Sequence, residues 1–359
     1  MGKSINRTFN HFKIHTQYSI CEGAIQIDKL KDFCKENKIQ SIGMSDTSNL
    51  FGALEFSEKI SKSGTQPIIG TQIYFEFNGE IGFLPLIAKN EQGYKMIMEL
   101  SSKSFIENNN MSEPHCKLEE LFKPSEGVII LSGSINGLIG KLFNKGKTED
   151  IDKIYKKIIQ YYKNNFYIEI QRHGDQNEKF FENFNLNISI KHQIPIIASH
   201  EVYYLEKSTH EAHDALMCIA AKTYTNDQNR VKLTSEHYLK HSEEMLKIFS
   251  DLPEALENNF NLPIRCNFRP LPSKPILPNI SSEKGVNAEK LLIRESNNGL
   301  VQKFIDVFKK DKNSLTDDSE FKKYKERLDH EIKIITEMNY ASYFLIVSDY
   351  IKWAKSNSI

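Results

Sequence analysis

The sequence predicts an α/β fold, a barrel of mostly parallel strands jacketed by helices, joined to a second and mainly helical region. Short apolar runs alternate with longer amphipathic ones from residue 12 to residue 205. That is the rhythm of βα units whose crossover helices cover a sheet. Side chains capable of chemistry sit at or just past the C-terminal ends of these runs: His15, Asp46, Gln72, Ser134, His173, and His200 with Glu201. In a barrel of parallel strands those ends converge on one face, which favours a barrel over a doubly wound sheet. Loops after any strand are polar, so this second regularity also has an ordinary explanation. The third observation is a cluster of prolines. Pro253, Pro263, Pro270, Pro272, Pro275 and Pro278 crowd one stretch, and "RPLPSKPILPNI" can continue neither a helix nor a central strand, which puts a domain junction near residues 266–280.

Seven runs read as strands, in order "FKIHT", "SIGMSD", "PIIGTQIYFEF", "LPLIAKN", "GVIILSG", "FYIEIQRHG" and "PIIASHEVYYL". Between them "QIDKLKDFCKENK", "NLFGALEFSEKISKSG", "EQGYKMIMELSSKS", "DIDKIYKKIIQYYKNN" and "QNEKFFENFNLNISIKHQ" carry apolar residues at helical spacing. Past the prolines the pattern predicts a helix over about 285–310, a charged turn "KKDKNSLTDDSE", and a long helix from Phe321 to Met338.

Bulk properties narrow the function. The 359 residues include 47 Lys plus Arg against 47 Asp plus Glu, so the chain has no net field to draw in nucleic acid or an anionic membrane. Any contact with a polyanion must be local. Five cysteines, scattered and without a CxxC pair, argue against a disulfide framework or a structural zinc cluster and point to a reducing compartment. The first residues contain no apolar h-region, and no stretch approaches the length of a membrane span. A cytoplasmic protein with no membrane contact is expected.

Several motifs lead nowhere. "HEAH" at 210–213 lacks the HExxH spacing of a zinc protease, so a helix start capped by Ser208 or Thr209 is expected there. "SGSING" and "GLIG" have glycines without the spacing of a phosphate loop. The Tyr161, Tyr162 and Lys163 cluster and the lysines of 308–313 read as solvated helix faces. The chemistry therefore rests on the strand ends. His11, Lys13 and His15 alternate on one face of the first strand, and His11, His15, Asp46 and His173 have the donor types that hold zinc or manganese. Each taken alone is more often a hydrogen-bonded structural residue.

The stretch "FNHFKIHTQYSICEGA", then "MSDTSNLFGALEFSEKISKSGTQPIIGTQIYF", resembles the opening of bacterial DNA polymerase III alpha subunits, a PHP (polymerase and histidinol phosphatase) domain. "LIAKNEQGYKMIMELSS", "GVIILSGSINGLIG", "FYIEIQRHG", "PIIASHEVYYL" and "RCNFRPLPSKPILPNI" follow in the family's order, and "RLDHEIKIITEMNYASYFLIVSDYIKWAKSNSI" is similar to the start of its palm. The resemblance covers essentially the whole chain. It implies a PHP-type distorted (β/α)7 barrel over 7–268, a Pro-rich linker over 269–283, and a mainly helical N-terminal part of the polymerase palm over 284–359.

Metal-competent members of the family use His-x-His on the first strand, Asp-His after the second, Glu after the third, Cys or His further on, His in the "QRHG" position, and Asp-x-His near the last strand. This chain offers Lys13 with His15, Asp46 with Thr47, Gln72, Ser134, His173, and Glu201 with Tyr203. The resemblance therefore implies a remnant metal site of His15, Asp46, His173 and Glu201, with His11 a family histidine outside the pair, and no working cluster. It further implies template-directed DNA synthesis by the full-length polymerase on DNA and dNTPs, with Mg²⁺ as its ion and its catalytic carboxylates lying beyond Ile359. This chain alone would not polymerise. A proofreading exonuclease subunit is the expected partner of the barrel, alongside other replicase subunits. The competing expectation is a metal-dependent PHP phosphoesterase or 3′–5′ exonuclease.

Overall fold

A computed structural model describes residues 7–107, 113–123, 125–274 and 287–359. They fall into two compact units, Met1–Pro272 and Ser273–Ile359. Part of the Pro-rich linker expected over 269–283 lies outside the described residues.

In the first unit nine strands are seen among the described residues: β1 (Lys13–Ile14), β2 (Ser41–Thr47), β3 (Gln66–Phe77), β4 (Glu80–Ala88), β5 (Cys116–Lys117), β6 (Val128–Leu131), β7 (Phe166–Ile170), β8 (Ile196–Ala198) and β9 (Glu201–Val202). Their order across the sheet is β8-β7-β6-β4-β3-β2-β1-β9, with β5 added against β3. β8 pairs with β7 while β9 pairs with β1. The single run "PIIASHEV" thus joins both ends of the sheet and curls it into the expected distorted barrel.

One strand departs from the βα rhythm. β4 runs antiparallel to both β3 and β6. Asn78 and Gly79 stand between β3 and β4 at φ 50° and 79°, the left-handed pair of a two-residue hairpin, whose twist matches that of the strands it joins. No crossover helix intervenes there, so the chain turns straight back.

Helices α1 (Ile27–Glu36), α2 (Ala53–Lys62), α3 (Glu91–Ile106), α4 (Leu138–Asn144), α5 (Thr148–Tyr162), α6 (Glu178–His192), α7 (His210–Ala221), α8 (Ser242–Ile248) and α9 (Pro253–Asn261) complete this unit. α3 starts where Asn90 accepts a hydrogen bond from the Gly93 amide at 2.9 Å, a side-chain cap for an otherwise orphaned donor. α7 begins at His210 as expected, but Thr209 makes no capping bond, because the chain enters through a 3-10 turn over Lys207–Thr209 with Thr209 already helical. Its His213 donates through Nε2 to the Glu22 carbonyl oxygen at 2.7 Å.

The barrel interior changes character along its axis. Phe12, Ile68, Ile129, Tyr167 and Ile197 pack with Leu262 and Cys266 into one buried cluster, and each fully buried aliphatic side chain contributes roughly 1.5–3 kcal/mol. Two residues on along β7 from Tyr167, on the same face, stands Glu169; four on from Ile68 along β3 stands Gln72. Apolar packing at one end therefore holds a polar layer at the other. Asn259 on α9 fastens the closure, donating to the carbonyls of Asn10 at 2.8 Å and Ala198 at 3.0 Å and accepting from the Asn10 amide at 2.9 Å.

The second unit consists of α10 (Ala288–Asp306), α11 (Ser319–Glu337) and α12 (Ala341–Ser356). Asn287 and Asp318 cap the first two with their side chains.

Candidate metal centre

At the polar end of the barrel a cavity of about 820 Å³ is lined in part by Glu22, Thr47, Tyr74, Glu201, Tyr203 and His237. Beneath it lies Lys13. β1 sets Lys13 in register with Glu201 of β9, and the fully buried ammonium stands 3.2 Å from Glu201 Oε1 and 3.6 Å from Glu169 Oε1. The Phe83 ring lies 5.4 Å from it. Nζ has no aligned hydrogen bond, so charge rather than directed bonding holds it. Burial works to raise the carboxyl of Glu201, but Lys13 and His15 outweigh burial and keep it below the usual carboxylate range.

His15 joins this group: Nε2 is 3.1 Å from Glu201 Oε1, Nδ1 is 3.2 Å from Ser19 Oγ, and the ring stacks on Tyr203 at 4.2 Å. From Ser19 the contacts continue. Its hydroxyl donates to Glu22 at 2.8 Å, Thr47 Oγ1 donates to the same carboxylate oxygen at 2.5 Å, and Gln72 Nε2 donates to Thr47 Oγ1 at 3.0 Å. Gln72, Thr47, Glu22, Ser19, His15, Glu201 and Lys13 thus form one connected polar chain across the ends of β3, β2, β1 and β9.

The other candidates sit apart from that chain or are already engaged. Asp46 accepts from the Thr16 amide at 2.6 Å and the Thr16 hydroxyl at 2.7 Å, one bond on each oxygen. Burial pushes its carboxyl up to about 6 despite those two bonds. His11 Nε2 lies 3.0 Å from the Lys240 carbonyl, and burial brings its pKa down to about 4. His173 accepts from the Glu201 amide at 3.2 Å through Nε2, and burial lowers its pKa well below the ordinary histidine value. The Ser134 hydroxyl oxygen accepts from the Asn136 amide at 3.3 Å, within its own turn.

Three groups in this layer were not among the sequence candidates. Glu169 had a signal, a lone carboxylate inside the apolar strand "FYIEI". Glu22 lies in the loop just after His15. His237 comes from the segment after β9, bridged to it through Tyr204 and Tyr238, and nothing in its local pattern marks it. The described residues also place one carboxylate and two imidazoles close enough for a metal ion, at His173, Asp175 and His237.

A family profile described as "PHP domain" matches residues 11–173. Another, described as "Bacterial DNA polymerase III alpha NTPase domain", matches residues 291–359. DNA polymerase III subunit alpha of Caulobacter vibrioides is 35% identical over 100% of this chain and 31% of its own length; that of Rickettsia prowazekii is 38% identical over 98% of this chain and 30% of its own. The chain spans about a third of the length of these relatives. A solved structure from Bifidobacterium adolescentis, provisionally assigned as a metal-dependent phosphoesterase, shares 13% identity over 54% of this chain and 86% of that one at a TM-score of 0.38, too low to carry an argument. No helix of the described residues is long and apolar enough to cross a membrane. The barrel, the polar layer at its strand ends and two profile matches in one order agree: the chain carries a PHP domain followed by a segment matching the DNA polymerase III alpha NTPase domain, and along its whole length it is similar to about a third of the length of bacterial DNA polymerase III alpha subunits.

Proposed function

We propose that the protein takes part in template-directed DNA synthesis within a bacterial replicase, and that its PHP barrel is a scaffold in which an ammonium takes the place of metal ions. The position of Lys13 between Glu201 and Glu169 carries this reading. A cluster of two or three divalent ions needs free imidazole and carboxylate lone pairs. Here a divalent ion about 4 Å from the ammonium would meet a repulsion on the order of 8 kcal/mol at an effective dielectric near 20. Thr47, Gln72 and Ser134 are neutral, and Asp46 has both oxygens bonded to Thr16, so the donor set does not fit such a cluster.

In this reading DNA, dNTPs and Mg²⁺ belong to the polymerase reaction, where paired metal ions activate the attacking and leaving oxygens. The remnant group of His11, His15, Asp46, His173 and Glu201 holds the barrel together. The barrel docks a separate proofreading exonuclease subunit, in the cytoplasm, beside the other replicase subunits. Depleting the protein from growing cells should stop incorporation of labelled thymidine within one round of replication; continued synthesis would refute the replicative role. Purified protein supplied with Mn²⁺ or Zn²⁺ should leave DNA 3′ ends intact, and nuclease activity that vanishes in His15→Ala would refute the scaffold role.

A further inference from the structure

We propose that the cavity at the barrel mouth binds a linear aliphatic polyamine, with one ammonium held at Asp175 and His237 and another at Glu22. His237 is buried and lines the cavity, and its Nδ1 lies 3.2 Å from the Glu201 carbonyl oxygen, which can only accept. The ring proton therefore sits on Nδ1 and leaves a lone pair on Nε2. That nitrogen has no hydrogen-bond partner and faces Asp175 Oδ2 at 3.7 Å. Two facing acceptors with no proton between them are an unfavourable pair. A bridging water would leave the carboxylate charge uncompensated, whereas an ammonium donates to both groups and balances that charge.

Glu22 makes the second station. Its Oε2 accepts from the hydroxyls of Ser19 at 2.8 Å and Thr47 at 2.5 Å, both neutral. Ser48, next after Thr47, also lines the cavity, and its buried Oγ has no partner. Among the described residues no lysine or arginine pairs with Glu22 or Asp175, and each has only a histidine within ion-pair distance. Lys13 is committed to Glu169 and Glu201. Lys141, the basic side chain of the cavity lining, donates to the Ile81 carbonyl at 2.8 Å. The mouth thus holds acceptors and carboxylate charge that no cation of the described residues meets.

The surface between the stations is aromatic. The Tyr203 ring lies 4.2 Å from that of His15, whose Nδ1 is 3.8 Å from Glu22, and 5.7 Å from that of His237. Tyr203 therefore stands between the two carboxylates, and Tyr74 and Phe83 line the same cavity. Aromatic faces attract ammonium groups and pack against methylenes, so they favour an alkyl chain charged at both ends. The 820 Å³ cavity has ample room for such a chain.

The test is calorimetric titration, with a chelator present, using spermidine, putrescine and butylamine. One equivalent of spermidine should bind, and putrescine should bind at least about 10-fold tighter than butylamine, whose single ammonium reaches only one station. Glu22→Gln and Asp175→Asn should each weaken spermidine binding by roughly 10-fold, while Glu36→Gln, on the exposed face of α1, leaves it unchanged. Cys21 gives a second readout, because it lines the cavity and is the exposed one of the five cysteines. Saturating spermidine should slow its alkylation by iodoacetamide at least about 5-fold in the wild-type chain. Melting curves check that the variants fold, and the Cys21 readout on the wild-type chain stands even where one does not. No saturable spermidine binding, butylamine binding as tightly as putrescine, binding untouched by both substitutions, or an unchanged rate at Cys21 would each overturn the proposal.

Discussion

Removing the ammonium of Lys13 would leave Glu169 and Glu201, both buried, without the cation that each approaches within 3.6 Å. Breaking one side of a buried ion pair costs about 3–5 kcal/mol, because the remaining charge stays desolvated. Lys13→Met should lower the urea unfolding free energy by that amount at pH 7. The triple change Lys13→Met, Glu169→Gln, Glu201→Gln should recover much of the loss, since no uncompensated charge remains. At the same scale, His11 gives the fold an acid limit. Its folded pKa of about 4 lies below the unfolded 6.5, so between those values the unfolded chain binds a proton that the folded chain refuses. Stability is therefore complete above pH 6.5 and falls as pH drops towards 4. Burial pushes His173 and His200 in the same direction. Urea midpoints at pH 7 and pH 4.5 should differ less in His11→Gln than in the wild type, by a free energy on the order of 2–3 kcal/mol.

Among the elements, the join between α3 and β6 depends on two glycines in contact. A Cβ on Gly93 would lie 1.7 Å from the Gly127 carbonyl oxygen, and backbone rather than a movable side chain is what it meets. Gly93→Ala should therefore destabilise the protein by more than about 3 kcal/mol, the upper range of single substitutions, seen as a drop in melting temperature. Asn90→Ala, which removes only the α3 cap, should cost about 1 kcal/mol. The helices themselves were legible from the spacing of their apolar residues, and the resemblance to the polymerase family agreed with them. The direction of β4 was written in the sequence too, as Asn78-Gly79 between two apolar runs, the strongest short-range hairpin signal. The alternation of strands and helices around it hid that signal.

For the whole molecule, closure of the barrel turns on Asn259, which ties α9 to the chain before β1 and to β8. Asn259→Ala leaves buried amide and carbonyl groups unpaired, at roughly 1–3 kcal/mol each. It should loosen β1 and β8 together, measured as parallel gains in amide exchange on both strands with less change on β3. At this scale the sequence by itself determined the βα periodicity, the apolar runs that become strands, and the polar residues at their C-terminal ends, because each depends on neighbours a few positions apart. The tertiary structure alone decided that the last run splits between β7 and β1, that Lys13 meets Glu169 and Glu201, and that His237 comes to lie on His173. Those partners are far apart along the chain, and no local periodicity records which strand end will face which. Only the curl of the sheet brings them to one mouth, where burial makes charge and lone pairs count.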